Sequence, residues 1–112
     1  MKKVVTAVML TGLITLVGCA SQAPSPWVGM PYHEADGWKG IGVQAYDART
    51  LRSNGFTPTD AKEWVQVGIN SPITIIEWNK AGFTPRTASK WLAKGFTSEK
   101  AVSLKAQGLT VE

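Results

Sequence analysis

His33, Glu34 and Asp36 are the densest group of side chains able to hold a metal or move a proton. A zinc site takes three or four protein ligands, and here no second histidine or neighbouring cysteine completes the shell. His33 is the only histidine and Cys19 the only cysteine of the 112 residues. A nucleophile–histidine system would therefore have to use His33. Asp60, Glu63 and Glu77 fall on separate predicted helices or near helix starts, where a carboxylate favours the dipole rather than a reaction. The cluster reads as polar loop surface. We assign no catalytic residue, no metal ligand and no cofactor, and expect a protein that is not an enzyme.

Cys19 carries a different chemistry. Lys2 and Lys3 form a positive start, and Val4 to Val17 is apolar apart from Thr6, Thr11, Gly12 and Thr15. That run is short of the ~20 residues of a membrane span. It has the length and flanks of a signal-peptide core. The closing Leu16-Val17-Gly18-Cys19 resembles the lipobox of bacterial lipoproteins. The resemblance covers residues 1 to about 20. It implies a thioether-linked diacylglycerol on Cys19, cleavage between Gly18 and Cys19, and acylation of the new amino group. An ordinary secretory signal or an uncleaved anchor are the competing readings. A lone cysteine weighs against both, because an exported chain with one thiol cannot form an internal disulfide. Two or three acyl chains at ~0.8 kcal/mol per buried methylene hold a protein far better than one. By the same resemblance, Ala20-Ser21 in place of Asp implies the outer membrane of a Gram-negative host, at its periplasmic face.

The expected organisation is a signal peptide over 1–18, a lipidated cysteine with a flexible tether over 19–31, an irregular aromatic segment over 32–41, and a repeat domain over 42–112. Pro24, Pro26 and Pro31 with several small residues make the tether. Twelve Lys/Arg stand against eight Asp/Glu in the whole chain, and two of those lysines belong to the signal peptide. Export and so small a surplus argue against a nucleic-acid partner. A mature chain of this size has little surface to bury, so a single small domain is expected.

The repeat supplies the architecture. Glycines stand at 42, 55, 68, 82, 95 and 108, thirteen residues apart except for the fourteen between Gly68 and Gly82. Around them recur Gly55-Phe56-Thr57-Pro58, Gly82-Phe83-Thr84-Pro85 and Gly95-Phe96-Thr97-Ser98. Alanine comes six places after the glycine (Ala48, Ala61, Ala88, Ala101) and Leu51, Trp64, Trp91 or Leu104 nine places after. Self-similarity of this kind marks a repeated supersecondary unit.

Each unit predicts one short helix with both ends specified. Thr57, Thr84 and Thr97, with Ser71 in the long unit, suit the N-cap. Pro58, Pro72 and Pro85 follow at the first helical turn, where a missing N–H costs little. Asp60 lies three residues after Thr57, as in a capping box. Glycine then ends the helix in the left-handed conformation. This register pairs Trp64 with Ile69, Trp78 with Phe83 and Trp91 with Phe96 across each helix end. Helices of about ten residues are unstable alone, so their Ala/Trp faces must bury against other units. The expected fold is all-α, with about five short helices in ~13-residue tandem repeats, as a curved array or a compact bundle.

Trp27 and Trp38 read as lying outside this register. They are the aromatic candidates for a partner or the membrane interface. Arg86, Lys90 and Lys94 belong to a basic C-terminal stretch that suits an anionic or acidic partner. The expected role is a membrane-anchored accessory or protein-interaction module of a cell-envelope machine, bound to another envelope protein. The short-helix layout is also similar to that of phage-encoded superinfection-exclusion lipoproteins, which implies a phage- or plasmid-encoded exclusion function as the alternative. A third expectation is a peptidoglycan-binding lipoprotein that uses Trp27, Trp38 and the basic face.

Overall fold

The computed structural model describes residues 25–111. The expected signal peptide, Cys19 and the first part of the expected tether lie outside them. The described residues form an all-α domain with no strand. Its helices are α1 (Tyr32–Gly40), α2 (Ala45–Ser53), α3 (Pro58–Gln66), α4 (Pro72–Lys80), α5 (Pro85–Ala93) and α6 (Ser98–Ala106), each of nine residues.

The helix starts follow the side-chain chemistry. Thr57 Oγ1 accepts the Asp60 N–H at 3.2 Å, and Asp60 Oδ2 accepts the Thr57 N–H at 3.0 Å, which closes the capping box. Thr84 and Thr97 accept the Thr87 and Lys100 N–H groups at 3.2 and 3.1 Å. Ser71 caps α4 at 3.5 Å, the longest of the four. Proline opens α3, α4 and α5.

The helix ends follow one rule. At the end of α3, the Gly68 N–H donates to the Val65 carbonyl and the Ile69 N–H to the Trp64 carbonyl, both at 2.9 Å. This is the Schellman pair of bonds, and it requires Gly68 at φ +89°. The apolar contact that accompanies it is aromatic in the later units. Trp78 meets Phe83 edge-on with ring centroids 5.0 Å apart, and Trp91 meets Phe96 at 5.4 Å.

Two expectations for the N-terminal end are corrected. Residues 32–41, expected to be irregular, form α1 and the turn that ends it. The repeat starts one unit earlier, so six helices stand among the described residues where about five were expected. Gly29, at φ +91°, stands thirteen residues before Gly42, with Ala35 six and Trp38 nine places after it. Trp38 is thus in register, and its carbonyl accepts the Val43 N–H at 3.0 Å. The unit was hidden because Met30-Pro31 replaces Phe-Thr, so the N-cap has no hydroxyl. The expected tether is also shorter than 19–31. From Ser25 onward the chain turns back on the domain, with Val28 and Met30 N–H groups donating to the Ser25 and Trp27 carbonyls at 3.1 Å.

Packing runs along the array. α1 packs on α2 and α3, α2 on α4, and α3 on α5. The first three helices thus each lie against the second one after them, as in solenoid proteins, where units contact near neighbours. Gly37 permits one of these approaches, since a Cβ there would meet the Pro58 ring at 3.0 Å. The core is one continuous row of the repeated positions. Ala35, Ala48, Ala61, Ile75, Ala88 and Ala101 supply the small or branched layer, and Trp38, Leu51, Trp64, Trp78 and Trp91 the large one. The row thins at its C-terminal end, where Leu104 and Phe96 are half-buried and Leu109 is 50 % exposed.

Candidate functional site

His33, Glu34 and Asp36 are all on α1, and they do not converge. Glu34 Oε2 accepts from Arg52 Nε at 2.7 Å and from the Trp38 indole N–H at 3.3 Å. The carboxylate therefore ties α1 to α2 and gives the buried indole its partner. His33 stacks edge-on against Tyr32 at 6.2 Å, and Asp36 is exposed. Among the described residues no group of three or more His, Cys, Asp or Glu is placed to hold a metal ion.

Around this cluster runs an open groove of about 930 Å³. His33, Glu34, Arg52, Phe56, Thr57 and Pro58 are among the residues that line it. Arg49 also borders it, and this arginine does structural work: its guanidinium donates to the Val28 carbonyl at 3.0 Å and to the Pro26 carbonyl. It thereby fixes the 25–30 turn onto α2. The Arg52–Glu34 pair is partly exposed, so it adds at most ~1 kcal/mol of stability.

Of the two tryptophans offered as partner contacts, Trp38 is structural and Trp27 is half-buried. Trp38 has no exposed surface and sits in the core. Its burial removes it as a contact residue, for the reason given above: it is the register tryptophan of a unit not recognised in the sequence. Trp27 packs half-buried against the same core, with Lys39 Nζ 5.4 Å from its ring centroid. The exposed aromatics are Tyr32 and Tyr46, at 78 % and 80 %. Sequence reasoning passed over both. The available signal was that each stands at a helix start, outside the positions the repeat buries.

Arg86, Lys90 and Lys94 are exposed on α5 and at its C-cap. Their spacing of four places them along one side of that helix, where they form a continuous cationic row. Charge is unevenly spread along the array. Residues 25–79 carry four Lys/Arg and six Asp/Glu, whereas 80–111 carry six Lys/Arg and Glu99 alone.

No helix among the described residues is long and apolar enough to cross a membrane. Compared with known protein families, curated proteins and solved structures, the chain matches none of them.

Proposed function

We propose that this chain is a lipid-anchored, non-enzymatic interaction module of the bacterial cell envelope, held through Cys19 at the periplasmic face of an outer membrane. One observation carries the reading: the lipobox-like Leu16-Val17-Gly18-Cys19 follows a charged start and a short apolar run and contains the only cysteine. The repeat array supports the second half of the proposal, because tandem helical units present extended surfaces of the kind used for protein binding. The partner is another envelope protein, and the Arg86, Lys90 and Lys94 row is its first contact. A row of one sign steers an oppositely charged surface and raises the association rate. Tethering adds to this, since anchored partners meet at high local concentration.

Crosslinking in native membranes followed by co-purification tests the proposal. The expected result is one defined protein recovered with the native chain and lost with R86E/K90E/K94E. Recovery without any other protein overturns it.

Superinfection exclusion is the second reading, favoured by the similarity of the short-helix layout to that of exclusion lipoproteins. It predicts reduced phage or plasmid uptake when the chain is expressed in a naive host, and unchanged uptake would exclude it. The peptidoglycan reading drew on Trp27, Trp38 and the basic face; Trp38 is fully buried, whereas Trp27 is half-buried and the cations are exposed, and a pull-down with purified peptidoglycan tests it.

A further inference from the structure

The described part of the chain opens on a turn, not a helix. In Ser25–Met30 the Val28 and Met30 N–H groups donate to the Ser25 and Trp27 carbonyls at 3.1 Å. The Arg49 guanidinium holds the Pro26 and Val28 carbonyls, so the turn is fixed to α2. What this end shows to solvent is largely apolar. Val28 is 61 % exposed, and Tyr46 stands out from the first turn of α2. Between the turn and α2 lies an open hollow of about 610 Å³, lined by Pro26, Trp27, Lys39, Val43 and Tyr46 among others. Its walls are mostly apolar, and no Asp or Glu lines it, Asp36 and Asp47 included. Lys39 is its one charged group, with Nζ 5.4 Å from the Trp27 ring centroid.

The distance to the anchor selects what covers this end. Ser25 stands six positions after Cys19. At no more than ~3.6 Å per residue, that length of chain reaches at most about 20 Å in any conformation. With Cys19 held in lipid, the turn therefore begins close to the bilayer surface. Tryptophan and tyrosine are favoured at headgroup level, where the ring is covered and its polar edge stays wet. A lysine there lays its stem on apolar surface and keeps its ammonium among the phosphates. We propose that this end docks on the phospholipid surface itself, with Trp27, Val28 and Tyr46 at headgroup level and Lys39 among the phosphates. The array then stands on the membrane by its first two helices. α5, reached from α1 through α3, carries its cationic row away from the lipid and toward a partner. The inference rests on the anchoring of Cys19 and adds an orientation to it.

The mature chain, extracted from cell membranes and reconstituted in vesicles of phosphatidylethanolamine and phosphatidylglycerol, tests it. A trace phospholipid in the vesicles carries a diazirine next to the headgroup, and mass spectrometry maps the carbene adducts. Adducts are expected on residues 26–28 and 43–46, severalfold above those on α5 and α6. V28D/Y46D changes two exposed side chains and is expected to lower that yield roughly tenfold, since two carboxylates are then brought against lipid. R86E/K90E/K94E is expected to leave it unchanged. Should V28D/Y46D lose its helical circular dichroism, the adduct map of the native chain decides alone. Adducts confined to α5 and α6 would put the basic row on the lipid and overturn the proposal, as would adducts spread evenly along the helices. A lipidated chain without adducts leaves this end to a protein and also overturns it. The mass of the same preparation separates the two readings. Lipid on Cys19 with adducts elsewhere refutes the docking alone, whereas an unmodified Cys19 refutes the anchor and the docking with it.

Discussion

A side chain here matters through its position in the unit more than through its type. Thr57 and Gln44 both precede a helix, yet only Thr57 accepts an N–H from the first turn. Thr57→Ala therefore costs about 1 kcal/mol in chemical denaturation, while Gln44→Ala leaves the midpoint nearly unchanged. An equal loss at both sites would contradict the capping assignment. Trp38 makes the same point in the core. It is fully buried, and its indole N–H is held by Glu34. Trp38→Ala is expected to lose ~3–5 kcal/mol, as large-to-small changes at packed aromatic sites do. A Trp38→Ala protein as stable as the native one would return this residue to the surface.

The elements were legible wherever their rules are local. N-caps, first-turn prolines and terminal glycines act within six residues, so the sequence around Thr57, Thr84 and Thr97 contains the whole instruction for α3, α5 and α6. The same locality explains the miss at α1. With Pro31 at its N-cap and Met30 before it, that unit lacks the Phe-Thr signal and keeps only Gly29, Ala35 and Trp38. Second-neighbour packing was not legible, because it depends on the angle of each turn and on approaches such as Gly37 to Pro58. Within the candidate site, the exposed cations at 86, 90 and 94 could be read from spacing. The tie of Glu34 to Arg52 across eighteen residues could not. Burial also predicts where the array opens first. α6 buries Ala101 alone, whereas α2 buries Ala45, Ala48 and Leu51. Amide hydrogen exchange should be faster in α6 than in α2, α3 or α4. Uniform protection along the six helices would mean that the C-terminal end is covered.

At the scale of the molecule, short helices that are unstable singly form one row of core residues from Met30 to Ala101. Such an array has two ends and a long side, and its charge is divided along its length. Those features suit a surface for docking. Under the proposed function the anchor places that surface, so Cys19 is the residue to test. The most direct measurement is intact and N-terminal mass spectrometry of the chain extracted from cell membranes, with Cys19→Ser beside it. The account predicts a mature chain that begins at Cys19 and carries diacylglycerol and an amide-linked acyl group, and a Cys19→Ser chain that is neither lipidated nor cut before residue 19. A native chain with an unmodified Cys19, or one that begins elsewhere, would contradict it.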